Sequence, residues 1–229
     1  MSELLHFAEH TLQEVALAFM ALVYTLRLIW LFRRFKPGRD RQPQTGAPGT
    51  TPRKGILYSW GIIAMPWAME STRRDLFLWL QFVFFHVGVV AAIALSFVIP
   101  YGPSLLSHDW VVKAFQGFVG LACLIGCYRI GRRLSSPVLR KISSPDDYFS
   151  VLLLTVWFAS AFFAAPNQPQ GGEGVLLTYF FLTAFFLVYV PFSKISHYLY
   201  YPITRYYFGK TMGHRGVFPL PRDAKASHR

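Results

Sequence analysis

The chain has 229 residues, 53% hydrophobic, 17% aromatic and only 15% charged, with a mean hydropathy of +0.34. That balance excludes an ordinary soluble domain and fits a polytopic membrane protein. The formal net charge is +12, but the basic residues flank apolar runs and carry no nucleic-acid motif, so they speak to topology and a lipid bilayer, not to nucleic acid. Two cysteines in one apolar run, Cys123 and Cys127, cannot build a disulfide framework or a cysteine-rich cluster. The opening MSELLHFAEH has acids and no basic region, unlike a cleavable signal peptide.

Residues 11–32, TLQEVALAFMALVYTLRLIWLF, are long enough to cross a hydrocarbon core of roughly 30 Å as a helix. Glu14 lies near one end and Arg27 near the other, where it can snorkel. A loop rich in Pro, Gly and charge follows. Residues 55–69, GILYSWGIIAMPWAM, are apolar but short and interrupted by Pro66. They read as an interfacial amphipathic segment with Trp60 and Trp67 at headgroup depth; a sixth span there would run against the charge count. The second span, 76–100, contains His86. The third, 110–130, carries Gly117, Gly120, Ala122 and Gly126, small residues suited to close helix packing. The fourth is 148–165 and the fifth 175–201, followed by a basic tail, 202–229. The expected fold is all-α: five transmembrane helices in a bundle plus an interfacial helix, forming one membrane domain over 1–229.

Lys and Arg number nine between Arg33 and Arg74, five between Arg129 and Lys141, and seven between Lys194 and Arg229. In a five-span chain these 21 of the 23 basic residues fall on one side. The positive-inside rule then puts the N-terminus outside and the C-terminus in the cytoplasm.

Of seven histidines, only His86 and His197 sit in apolar spans able to face a bundle interior. An ionisable residue in a span is costly and marks function by default. Two neutral imidazoles from two helices are what a six-coordinate b-type haem needs. Gly88 and Ala91 leave room for a flat macrocycle, and Phe84, Phe85 and Phe192 can pack its faces. Arg73, Arg74, Lys194 or Arg205 can meet its propionates. The competing reading is that each histidine hydrogen-bonds a carbonyl or hydroxyl on a neighbouring helix. Two histidines with no acid or cysteine nearby are too few for a bare transition-metal site. His86 lies about ten residues into its span, roughly 15 Å along the helix, whereas His197 is close to the edge. One iron shared by both therefore requires the second helix to extend beyond the membrane surface, with Arg73 and Arg74 outside the bilayer.

Phe85-His86-Val87-Gly88 on the second span, and Pro191-Phe192-Ser193-Lys194 with His197 and Pro202 on the fifth, resemble the gamma subunit of respiratory nitrate reductase, a di-haem cytochrome b. The third span adds CLIG (123–126) and RRLSSPVLR (132–140), so the resemblance covers about residues 76–202. That family uses two further histidines, at positions held here by Ser96 and Tyr179. The resemblance therefore implies one haem b, on the cytoplasmic side, with no outer haem. The SSPDD stretch and the single-haem plan look more like the cytochrome b subunits of transmembrane redox complexes of sulfate-reducing bacteria. By that likeness the partners are a cytoplasmic iron–sulfur subunit, a periplasmic multihaem cytochrome c and other membrane subunits, and the location is a bacterial inner membrane.

A quinol, menaquinone among them, needs a hydrogen-bond partner for each oxygen and a proton acceptor. The resemblance places Lys113 near a quinol-linked lysine, and His108 and Tyr179 are further candidates; a solvated loop histidine and a snorkelling lysine are the plainer reading. His6 and His10, spaced i, i+4, with Glu3, Glu9 and Glu14, are candidates for a proton or quinone site or for ligating a second haem, against a solvated helix end. Cys123 and Cys127 read as small packing residues. With no catalytic motif present, the expected role is an electron-transfer subunit of an oxidoreductase, not an autonomous enzyme. The alternatives are a haem-free membrane anchor and a small transporter, the latter lacking the internal repeat that its class shows.

Overall fold

The computed structural model describes residues 2–35, 48–68 and 73–220. Most of the loop after the first span, the Met69 end of the expected interfacial segment and residues 221–229 of the expected tail lie outside the described residues.

The described chain is helical, with no strand. Helix α1 (Glu3–Glu9) is capped by Ser2, whose hydroxyl accepts from Leu5 N at 3.1 Å. After the bend at His10, α2 runs Thr11–Arg34. Helix α3 (Pro52–Gly61) starts on Thr51, which accepts from Lys54 N at 3.3 Å, with Pro52 at the first helical position. It decays into single turns at Ile62–Ala64 and Pro66–Ala68. Helices α4 (Leu76–Tyr101), α5 (Asp109–Ser135), α6 (Pro137–Ile142), α7 (Pro145–Ala164), α8 (Gly174–Tyr189) and α9 (His197–His214) complete the order. The expected membrane-spanning set is present: five segments, Glu3–Arg34, α4, α5, α7 and Gly174–Phe192, are long and apolar enough to cross a membrane.

The end of the fifth span and the start of the tail differ most from expectation. The fifth apolar run does not continue as one helix to residue 201. It stops at Tyr189, passes through single turns at Val190–Phe192 and Lys194–Ser196, and restarts at His197. The cause is Pro191, which has no N–H to continue the ladder. The tail expected from 202 is helical through His214, and it is packed rather than free.

The described residues group into two compact units, Met1–Leu31 with Gln81–Ile195, and Phe32–Leu80 with Ser196–Arg229. In the first, packing relies on small residues. A Cβ on Gly88 of α4 would lie 2.2 Å from Ala122 Cβ of α5, and one on Gly126 of α5 would lie 2.2 Å from Thr155 Oγ1 of α7. Where lipid tails are as apolar as leucine, such close backbone approach is a main source of helix association. Aromatic bulk fills the rest: Trp157, Phe158, Tyr179 and Phe180 are essentially inaccessible. Their polar atoms are satisfied in a chain, Trp157 Nε1 donating to Thr183 Oγ1 at 2.8 Å and Thr183 Oγ1 to Tyr179 O at 2.7 Å. Leucines on the far faces, Leu22 at 58% and Leu124 at 69% exposed, form the surface that lipid would cover.

The second unit is built on α3 against α9. A Cβ at Gly55 would fall 2.2 Å from Gly209 O, and one at Gly213 would fall 2.4 Å from Thr51 O. Gly209-x-x-x-Gly213 thus faces Gly55-x-x-x-Ser59, two small-residue pairs at one-turn spacing. Trp60 Nε1 donates to Pro202 O at 2.9 Å, and Phe218 packs on Tyr58 and Phe208.

Candidate functional site

His86 lies midway along α4 and is half-buried. Nδ1 donates to the Phe82 carbonyl at 2.7 Å, and the Phe82 ring centroid lies 4.2 Å from the imidazole. A carbonyl can only accept, so the proton is on Nδ1 and the lone pair on Nε2. This is the tautomer and ring restraint that metal-ligating histidines share. Next to it, Phe85 is buried, edge-on to Phe158 of α7 at 5.3 Å and 6.1 Å from the His86 ring. His197 is the first residue of α9, exposed, after the break that follows α8. His86 belongs to the first unit and His197 to the second.

Three expected pocket roles do not survive the packing. Gly88 was expected to leave room for a macrocycle, but its missing Cβ is used by Ala122 of α5. Two residues along a helix are about 200° apart, so Gly88 faces α5 on a different side from His86. Lys194 was expected to meet a propionate. Its Nζ instead lies 2.9 Å from Asp147 Oδ2 and 2.8 Å from Ser144 Oγ, and its backbone N–H donates to Asp146 Oδ2 at 3.2 Å. Tyr179 was expected to reach a quinol. It is fully buried, and its hydroxyl donates to Ala92 O of α4 at 2.6 Å. Arg74 is exposed in the short turn before α4, in the second unit.

The Lys194 contacts belong to a joint that the SSPDD sequence encodes. Asp147 Oδ2 accepts from both N and Oγ of Ser144 at 2.8 Å, fixing the start of α7. Asp146 accepts from the Tyr189 hydroxyl and from Ser150 Oγ. The first turn of α7 therefore clamps the end of α8 and the Val190–Ser196 break, which is the lead into His197.

Ser96 and Tyr179 lie on helices joined by the Tyr179–Ala92 bond, among Leu95, Ala92 and Phe180, all inaccessible to solvent. His108 and Lys113 are exposed at the start of α5, where His108 Nδ1 is 3.1 Å from Ser107 Oγ. His6 and His10 come together with ring centroids 4.7 Å apart. His10 stands edge-on to Tyr101, whose hydroxyl donates to Glu14 Oε1 at 2.9 Å. Among the described residues no group of three or more His, Cys, Asp or Glu is arranged to hold a metal ion. A bis-imidazole haem takes only two protein ligands, so this bears on bare metal sites alone.

The charge counting missed one residue. Arg129, within the expected third span, counts toward the basic residues of one side, yet it points inward, its guanidinium carbon 4.7 Å from the Phe85 ring centroid. The signal was its spacing: with Ala122 and Gly126 it falls at i, i+4 and i+7, on one helix face. Comparison of the chain with protein-family models, curated proteins and solved structures finds no match.

Proposed function

We propose that the chain is the haem b-carrying membrane subunit of a respiratory redox complex in a bacterial inner membrane. It passes electrons between a quinone pool or a periplasmic cytochrome c and a cytoplasmic iron–sulfur partner. The observation that supports this reading is an imidazole in an apolar span held by a backbone carbonyl through Nδ1, the restraint that metal-ligating histidines share. That donor chemistry fits haem, with His197 as the second axial ligand. Haem bound there supplies one-electron redox chemistry.

The chain's own residues do the rest. The Phe82 carbonyl fixes the tautomer and rotation of His86. The Asp146–Asp147 clamp holds Tyr189 and Lys194 at the end of α8 and the break that follows it. Phe85, edge-on to both Phe158 and His86, sets an apolar ring beside the imidazole. The one-sided Lys and Arg count supports a cytoplasmic C-terminus and a basic face for an electron-transfer partner. Quinone, if it is the outer donor, is left with Lys113 and His108, the exposed pair at the start of α5.

A reduced-minus-oxidised spectrum of the purified chain decides the matter. A b-type α-band is expected in the wild type, lost in both His86→Ala and His197→Ala and kept in His108→Ala. Its absence from the wild type leaves a haem-free anchor and overturns the proposal.

A further inference from the structure

An arginine near the end of a spanning helix normally snorkels outward to water. Arg129 does the reverse. Helical side chains lean toward the helix N-terminus, and Arg129 shares a face with Ala122 and Gly126, which pack on α4 and α7. Its guanidinium is therefore carried back into the first unit, over Phe85, the neighbour of His86. It is half-buried there, and among the described residues it makes no hydrogen bond and no ion pair. Arg132 and Arg133 follow it at i+3 and i+4, close to the same side of the helix, and add positive charge. Stacking on a ring satisfies none of the five N–H donors of a guanidinium. A planar cation in an apolar, locally positive site, with its donors unmet, is built for an anion, and its fork matches a carboxylate.

We infer that Arg129 receives a propionate carboxylate of the haem held by His86, an assignment that rests on the function proposed above. It replaces Lys194, which is engaged by Asp147, as the residue that binds the cofactor's acid group. A lipid phosphate is the poorer occupant, because Arg129 is half-buried with its guanidinium against Phe85, whereas Arg132, one turn on, is exposed.

The test uses the full-length chain made in haem-limited cells, titrated with haem and with haem dimethyl ester, whose propionates carry no charge. Wild type is expected to bind haem roughly tenfold to a hundredfold more tightly than the ester, the range of a charge-assisted hydrogen bond. In Arg129→Gln that ratio falls toward one. The α-band persists, and the haem midpoint potential drops because a positive charge beside it is gone. Arg132→Gln keeps the wild-type ratio and potential. If Arg129→Gln does not insert, the ratio is read in Arg129→Lys, where loss of the fork shrinks it. A ratio and potential unchanged in the Arg129 variant, with a b-type band in the wild type, overturn the Arg129 assignment and leave the haem reading standing. Loss of co-purifying anionic lipid with both unchanged does the same, in favour of a headgroup. No band in the wild type overturns both.

Discussion

Trp157, Thr183 and Tyr179 carry hydrogen bonds across α7, α8 and α4 in a setting with no water to replace them. Thr183→Val strands the buried indole N–H, a loss of about 1–3 kcal/mol. Tyr179→Phe costs less, on the order of 0.6 kcal/mol, because the Ala92 carbonyl lies within α4 and keeps its place in that helix's ladder. Thermal unfolding in detergent should rank the two in that order. At the start of α7, Lys194 is 59% exposed, so its ion pair with Asp147 contributes only about 0–1 kcal/mol. Asp147 also holds Ser144, so Asp147→Ala should lower the melting temperature more than Lys194→Met does, by roughly the worth of a cap, ~1 kcal/mol. Equal effects would show that the charge and not the cap does the holding.

Between elements, missing side chains decide the contacts. A side chain at Gly55 or Gly213 would collide with backbone of the partner helix, which cannot move aside as a flexible side chain can. Gly213→Leu should therefore part α3 from α9 while leaving the long helices intact: proteolytic cutting within 48–61 accelerates, and circular dichroism barely changes. Unchanged cleavage would mean that the α3–α9 contact does not depend on these glycines. Near the N-terminus, Ser2 joins α1 to the start of α8 through Glu173, its backbone N–H 2.6 Å from Oε1 and its hydroxyl donating to Oε2. These bonds hold the Glu173 carboxyl below its ordinary range. A carboxylate with a depressed folded pKa stabilises above its unfolded pKa and loses that contribution as pH falls through the folded value. Amide exchange in α1 should thus rise on acidification below the usual carboxylate range, and Glu173→Gln should show the faster exchange already at neutral pH.

For the molecule as a whole, charge is partitioned along with structure. Segments 32–80 and 196–229 hold fifteen Lys and Arg against four Asp and Glu, a net of +11 out of +12, while the apolar first unit is nearly neutral. If that partition reports topology, the basic segments share one side of the membrane. In a variant with Cys123 and Cys127 replaced, a single cysteine at Ser107 should react with an impermeant thiol reagent added to intact cells. One at Ser136 should react only after lysis, and the reverse pattern would invert the proposed orientation.

The five membrane-spanning segments were legible in the amino-acid sequence because burial in lipid demands long uninterrupted apolar runs and pushes charge to their ends, both local properties of the chain. His86 stood out for the same reason, as an imidazole in such a run, whereas His197, expected in the fifth span, lies exposed at the start of α9 beyond Gly174–Phe192. The break before His197 was visible in Pro191 but was read through, since one proline among apolar residues is tolerated in many spans. What Gly88, Lys194, Tyr179 and Arg129 do was not legible. Whether a glycine makes room for a ligand or for Ala122, and whether a cation finds Asp147 or no acid at all, depends on which residues distant in sequence come within a few ångströms. Only the close approach of α4 to α5, of α7 to the end of α8, and of α3 to α9 decided that.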